Sequence, residues 1–139
     1  MPLRFIIIDN DPVNNLLCTL TVKDVAGDVE IQTFNFPVKG FKYIADEYLN
    51  TESPTVLLLD INMPTWSGWD FLDQFENLDE KIKKQIKIYI LSSSIDASDK
   101  QRARQNKNVV DYIEKPLSER TVFSMLDQKM DAAKLSMTG

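Results

Sequence analysis

The sequence predicts an α/β fold in which a five-stranded parallel sheet is doubly wound, with helices packed on both faces. Two apolar runs, Leu3–Ile8 and Thr55–Leu59, each stop at an acid, Asp9 and Asp60 respectively. Continuous apolar runs of this length are typical of strands that are buried on both faces. Segments of strand length alternate with segments of helix length along the chain, and this alternation favours a parallel sheet.

Three further segments supply the remaining strands. Val29–Phe34 alternates apolar and polar residues, which predicts a strand at the edge of the sheet. Ile86–Leu91 and Val109–Ile113 are rich in β-branched and aromatic residues, as strands usually are. The intervening segments predict helices over about residues 12–25, 38–49, 68–78, 97–107 and 119–135.

Apolar residues at helical spacing indicate how the first and last helices pack. In the first helix, which starts at Pro12, the predicted core stripe is Leu16, Leu17 and Leu20. In the last helix the corresponding residues are Val122, Phe123, Leu126, Met130 and Ala133. The helix over 97–107 has little beyond Ala97 and Ala103 to bury, so we expect it to be weakly anchored, either as a mobile or partner-facing element or as a merely solvated helix.

Composition limits the chemistry that the chain can perform. We expect its 139 residues to form a single domain over 1–139 with no output domain, and they include no His and one Cys. These counts exclude His-based catalysis, His-containing zinc sites and an internal disulfide. A net charge of −5 argues against a nucleic-acid partner. The apolar runs are too short to span a membrane, and acids follow Met1 too closely for a signal peptide, so we expect a cytoplasmic protein.

Polar side chains follow the strands at the edge where ligands bind in doubly wound sheets. Asp9 and Asp60 leave two strands there, and if these strands are neighbours the carboxylates need a cation such as Mg²⁺ or a proton between them. Each acid alone is better explained as a helix cap. Ser92 and Lys115 follow two further strands, and the joint placement of carboxylates, hydroxyl and amine suits a phosphoryl group.

Four motifs carry a family resemblance that extends from end to end of the chain. They are Ile8-Asp9-Asn10-Asp11-Pro12, Leu59-Asp60-Ile61-Asn62-Met63-Pro64 with Gly68, Ile90-Leu91-Ser92-Ser93, and Tyr112-Ile113-Glu114-Lys115-Pro116. With these motifs the chain resembles the receiver domain of bacterial two-component response regulators, of the single-domain type like the chemotaxis regulator. The resemblance implies a flavodoxin-like three-layer (βα)5 sandwich with strand order 2-1-3-4-5.

The resemblance also implies a role for each residue of the site. Asp60 would be the phosphoacceptor, taking a phosphoryl group from the phosphohistidine of a sensor histidine kinase or phosphotransfer protein. Mg²⁺ would be held by Asp9, Asp60 and the backbone carbonyl of Asn62, while Lys115 would pair with the phosphoryl group. The peptide bond before Pro116 is a candidate for the cis form. No enzymatic activity is expected beyond autophosphorylation from small phosphodonors and autodephosphorylation.

Signalling would then pass to a downstream protein through a change of surface. Ser92 would move toward the phosphoryl group and Tyr112 would rotate inward behind it. This motion would remodel the face built from the helix over 97–107, the strand over 109–113 and the last helix. Without the resemblance, Tyr112 is better explained as a partly buried strand aromatic.

One departure from the family pattern leaves two other interpretations open. The family has a second acid where this chain has Asn10, a further candidate ligand, and one charge fewer predicts weaker Mg²⁺ binding. The change also supports a pseudo-receiver that binds partners without being phosphorylated. A third interpretation, a haloacid-dehalogenase-like phosphatase with Asp9 as nucleophile and Asp11 as general acid, leaves Asp60 without a role.

Overall fold

The computed structural model describes residues 2–93 and 96–127, which form one sheet flanked by helices. The strands are β1 (Arg4–Ile8), β2 (Glu30–Phe34), β3 (Thr55–Leu59), β4 (Ile86–Ser92) and β5 (Val109–Glu114). The helices are α1 (Pro12–Ala26), α2 (Pro37–Glu47), α3 (Gly68–Glu76), α4 (Glu80–Lys83) and α5 (Ala97–Gln105). A last helix, α6, begins at residue 119 and is described to residue 127. The rest of that predicted helix, with Met130 and Ala133, lies outside the described residues.

The sheet has the predicted order, β2-β1-β3-β4-β5, with every neighbouring pair parallel. The alternating segment is the edge strand β2, as expected. The last residue of β1, Ile8, pairs with Phe34 of β2 and with Leu59 of β3. The chain therefore leaves these three strands at one edge, where the order of the strands reverses around β1.

Each strand of the sheet centre contributes to two apolar cores, one on either face. Ile6 and Ile8 of β1 pack with Ile44 of α2 and with aromatic residues of α3. Phe5 and Ile7, which alternate with them, pack with α1 and α6 on the other face. Because both faces are covered, Phe5–Ile8 of β1 and Val56–Leu59 of β3 are apolar without a break. The predicted three-layer sandwich is confirmed.

The prediction of the buried face of α1 was wrong. Leu16, Leu17 and Leu20 are between 51% and 58% exposed. The buried row is instead Asn15, Cys18 and Val22, which are at i, i+3 and i+7. The rotation of α1 has a polar cause, because the side-chain amide of Asn15 donates to the carbonyl oxygens of the turn before α1 and of the β2 end, and this holds residue 15 inward.

Smaller differences concern the other helices. The predicted helix over 68–78 ends at Glu76, and the short α4, which Asp79 caps, was not predicted. In α6, Phe123 is 63% exposed whereas Met125 is buried. Ala103 is the buried residue of α5, which agrees with a weakly anchored helix. Among the described residues, no helix is long and apolar enough to cross a bilayer.

Candidate phosphoacceptor site

The turn from β1 into α1 buries one carboxylate and leaves its neighbours exposed. Asp9 is 2% exposed, and its Oδ1 accepts a hydrogen bond of 2.9 Å from the backbone N–H of Asp11. The Asp11 side chain caps α1 by accepting from the backbone N–H of Val13 at 2.9 Å. Asn10 is exposed. The turn therefore supplies Asp9 as its buried acid and uses Asp11 as a helix cap.

The chain after β3 holds Asp60 against β1 and α3. The backbone N–H of Asp60 donates to the carbonyl of Ile8 at 3.0 Å, and the residue is 5% exposed. Gly68, the first residue of α3, lies so close to this segment that a Cβ there would stand 2.5 Å from the backbone oxygen of Asp60. Thr65, in the loop between them, has a φ of 71°, in the left-handed region. The loop after Asp60 therefore folds back so that Gly68 packs directly against the backbone of Asp60.

Lys115 reaches the two acids from the end of β5. Its backbone N–H donates to the carbonyl of Ser92 at 2.8 Å, and the Lys115–Pro116 peptide bond is cis. The Lys115 Nζ lies 2.8 Å from Asp9 Oδ2 and 3.4 Å from Asp60 Oδ1. The structure thus brings together residues that are more than 100 positions apart, since Lys115 and Asp9 are separated by 106.

The balance of charge in this cluster is negative. Burial, followed by repulsion from Asp9, raises the pKa of Asp60 to about 6, although Lys115 and the backbone N–H of Asn62 favour its charged form. Burial opposes the charge on Lys115, but the hydrogen bond to Asp9 and the attraction of both carboxylates outweigh it and raise the pKa of the ammonium. Two carboxylates share one ammonium, so the site favours an additional proton or cation.

These residues fit a divalent cation that keeps part of its water shell, and not a cation bound by protein ligands alone. Mg²⁺ is commonly bound by one or two carboxylates together with waters and a phosphate. In the described ranges 2–93 and 96–127, no three acid, Cys or His residues stand close enough to form a metal cluster. Asp9 and Asp60 supply the two carboxylates, and the exposed Asn10 and Asn62 lie in the adjoining turns. The donor set is therefore of the all-oxygen kind that Mg²⁺ takes, with two buried carboxylates beside exposed turns that leave room for waters.

Ser92 and Tyr112 occupy neighbouring strands next to the cluster. Ser92 is completely buried at the end of β4, where it pairs with Glu114 of β5. Tyr112 is half-buried, pairs with Ile90 and lines a groove between β5 and α5 with Lys100 and Arg104. Ser92 therefore faces the interior near Lys115, and Tyr112 lies between this interior and the surface.

Two asparagines of α1 belong to the site and were missed by the sequence analysis. The Asn14 side-chain amide donates to Asp9 Oδ2 at 2.6 Å, the same oxygen that Lys115 contacts. The Asn15 amide donates to the backbone oxygen of Asp9 at 2.9 Å and to Asn35 Oδ1 at 2.7 Å. The signal was present in the sequence, because both asparagines fall in the first turn of a helix that follows an acid.

Comparisons with known proteins identify relatives of the same architecture. The family model described as "Response regulator receiver domain" matches residues 5–127. No curated protein matches significantly. A two component response regulator from Cytophaga hutchinsonii is 25% identical with a TM-score of 0.86, over 94% of this chain and 98% of that one. A response regulator receiver protein from Dyadobacter fermentans is 23% identical with a TM-score of 0.82, over 91% and 96% of the two chains.

A more distant structure has the same fold. The chemotaxis protein CheY4 of Vibrio cholerae is 16% identical with a TM-score of 0.72, over 92% of this chain and 98% of that one. The family match spans most of the sequence, and it includes Asp9, Asp60, Ser92 and Lys115. The chain belongs to the response regulator receiver domain family.

Proposed function

We propose that this chain is a phosphoacceptor response regulator, in which Asp60 receives a phosphoryl group from a phosphohistidine of a sensor kinase or phosphotransfer protein. The observation that carries the proposal is the contact of the Lys115 ammonium with both buried carboxylates, Asp9 and Asp60, at the edge of the sheet. Membership of the receiver family supports a place in two-component signalling. A cytoplasmic location is part of the same proposal.

The transfer needs a nucleophile and charge stabilisation, and the residues present supply both. A carboxylate oxygen of Asp60 attacks phosphorus, the bond from phosphorus to the partner's imidazole nitrogen breaks, and an acyl phosphate forms. The released imidazole nitrogen takes up a proton. Lys115, which lies 3.4 Å from Asp60 Oδ1, can follow the added negative charge with little movement. In this proposal the chain accepts the group, and its own reactions are autophosphorylation from small phosphodonors and autodephosphorylation.

The cation site follows from the same residues. Mg²⁺, when bound, would neutralise the phosphoryl oxygens during the transfer. Asp9 and Asp60 would hold it by their carboxylates and Asn62 by its backbone carbonyl, with Asn10 as a further neutral ligand. Because Asp11 is used in the cap of α1, it adds no third buried carboxylate. We therefore expect the site to require a high Mg²⁺ concentration.

The output proposed for the domain is a change at Ser92 and Tyr112. A phosphoryl group on Asp60 would draw the Ser92 hydroxyl toward it, and Tyr112 would rotate into the space behind. The position of Tyr112 in the groove between β5 and α5 supports this step, since its rotation alters the surface formed by α5, β5 and α6. The weak anchoring of α5, in which Ala103 is the buried residue, also supports it. A downstream protein would bind this surface in its altered form.

The other two interpretations have less support. The phosphatase interpretation needs Asp11 as a general acid, but Asp11 caps α1 and the chain belongs to the receiver family. The pseudo-receiver interpretation is favoured by one observation, the exposed amide of Asn10 where the family has an acid. It predicts that phosphorylation is absent at any Mg²⁺ concentration.

Intact mass measurement after incubation with a small acyl phosphate separates the three interpretations. We expect wild type to gain one phosphoryl group in the presence of Mg²⁺, and the gain to disappear in Asp60→Asn and in EDTA. A gain that survives in Asp60→Asn but not in Asp9→Asn would support the phosphatase. No gain even at high Mg²⁺ would support the pseudo-receiver and overturn the proposal.

A further inference from the structure

The carboxylate of Asp9 is held by the helix that follows it. The Asn14 Nδ2 donates to Asp9 Oδ2 at 2.6 Å, and Lys115 Nζ contacts the same oxygen at 2.8 Å. The other oxygen, Oδ1, accepts from the backbone of Asp11 at 2.9 Å. Each oxygen of this buried carboxylate thus accepts a hydrogen bond from the cap or the first turn of α1. These two bonds restrict rotation of the Asp9 side chain.

The orientation of Asp9 matters more in this chain than in one with two acids after β1. Asn10 carries no charge and is exposed, and the Asp11 side chain accepts from the backbone N–H of Val13. Asp9 is therefore the carboxylate of this turn that lies buried beside Lys115 and Asp60. A change in the Asp9 rotamer would remove the turn's negative charge from the place where a cation is needed.

We propose that Asn14 is a positioning residue for Asp9, and that its amide sets the affinity of the site for Mg²⁺. The inference rests on the proposed function. Asn14 acts through Asp9, because its amide donates to Asp9 Oδ2. Hydrogen-bond partners that orient metal ligands typically change metal affinity by about 10- to 100-fold when they are removed. Because Lys115 and Asp11 continue to hold Asp9, we expect the lower end of that range.

A pair of substitutions separates the hydrogen bond from the fold. Asn14→Leu keeps the approximate size of the side chain, removes the donor and places a better helix former on α1, so the helix itself is not weakened. Asn14→Gln retains an amide donor on a longer stem. Asn50→Leu, at an exposed position far along the chain, is the matched control for the loss of an asparagine amide.

Isothermal calorimetry with Mg²⁺ alone is the primary measurement. We expect Asn14→Leu to raise the Mg²⁺ dissociation constant on the order of tenfold, Asn14→Gln to restore most of the affinity, and Asn50→Leu to have no effect. The Mg²⁺ concentration for half-maximal phosphorylation should rise together with the dissociation constant, because Asn14 acts on the ligand of the cation. Urea unfolding in EDTA checks that the variants are folded.

Three outcomes would overturn the inference. The first is a dissociation constant for Asn14→Leu within a factor of about two of wild type. The second is an Asn14→Gln variant as weak as Asn14→Leu, and the third is a wild type that binds no Mg²⁺ at millimolar concentrations. If wild type binds Mg²⁺ and the Asn14 variants behave as expected, but no phosphoryl group is accepted, the proposed function fails and the positioning role of Asn14 stands.

Discussion

Replacing Asp60 by asparagine is expected to stabilise the metal-free protein at neutral pH. Burial and the neighbouring Asp9 raise the pKa of Asp60 from 3.8 to about 6, so the ionised carboxylate disfavours the folded state. A group whose pKa is higher in the folded than in the unfolded chain costs no stability below its unfolded pKa, and the cost grows as pH rises through its folded pKa. Asparagine keeps the shape of the carboxyl group and carries no charge.

The size of the effect follows from the shift in the pKa of Asp60. At about 1.4 kcal/mol per pKa unit, a shift from 3.8 to about 6 amounts to about 3 kcal/mol once the carboxyl group is fully ionised, above about pH 7. About half of this cost is already present near pH 5, where the folded protein still holds most of its proton and the unfolded chain has lost it. The difference in the free energy of unfolding between Asp60→Asn and wild type should therefore roughly double between about pH 5 and pH 7.5.

Urea unfolding in EDTA, followed by tryptophan fluorescence at several pH values, measures this difference. The matched control is Asp73→Asn, which removes an exposed carboxylate from α3 and should change stability by no more than about 0.5 kcal/mol. Added Mg²⁺ should stabilise wild type more than Asp60→Asn, because the cation binds the folded site. The reasoning is refuted if Asp60→Asn is no more stable than wild type at pH 7.5, or if its advantage does not grow with pH.

Three further substitutions test other parts of the account. Gly68→Ala should lower the free energy of unfolding by about 1–3 kcal/mol, because the added Cβ meets backbone atoms of Asp60 at 2.5 Å, and an unchanged urea midpoint would contradict this. Asn10→Asp should lower the Mg²⁺ concentration for half-maximal phosphorylation on the order of tenfold. An unchanged Mg²⁺ concentration would contradict the claim that the neutral Asn10 weakens Mg²⁺ binding. Arg102→Ala should lower the free energy of unfolding by about 0.5–1 kcal/mol and alter tryptophan emission, because the guanidinium lies 4.5 Å from the Trp69 ring centroid. Unaltered emission would mean that this contact is not formed in solution.

The sheet could be predicted because burial on both faces leaves a direct pattern in the sequence. The chain is apolar without a break over the four residues before Asp9 and the four before Asp60. These segments belong to the two adjacent strands β1 and β3. The edge position of β2 was predicted for the complementary reason, since one side of it is solvated. These predictions depend on local composition, and the structure confirms them.

The orientation of α1 could not be predicted from apolar spacing, because a polar residue determines it. Leucines at positions 16, 17 and 20 form a stripe that is indistinguishable from a core stripe by periodicity alone. Asn15 competes with them, and its hydrogen bonds to the backbone oxygens of Asp9 and Phe34 hold the helix in the observed rotation. A buried amide group that donates to tertiary partners leaves no periodic signal in the sequence. The same is true of the contact from Asn14 to Asp9.

The residues at the strand ends could be predicted as members of the site, but Asn14, Asn15 and the electrostatics of the site could not. The carboxyl ends of parallel strands meet at one edge of a sheet, and this predicted the positions of Asp9, Asp60, Ser92 and Lys115. The structure brings these residues together at that edge. The contact of one ammonium with both carboxylates, and the raised pKa of Asp60 that results from burial and repulsion, depend on distances that only the folded chain defines.

Locating the phosphoryl group is the most direct test of the central claim. Wild type is incubated with a small acyl phosphate and Mg²⁺, reduced with borohydride, which converts an aspartyl phosphate to homoserine, and mapped by peptide mass spectrometry. The account predicts homoserine at position 60 and aspartate at positions 9 and 11. Homoserine at position 9, or an unmodified residue 60 at saturating Mg²⁺, would contradict it.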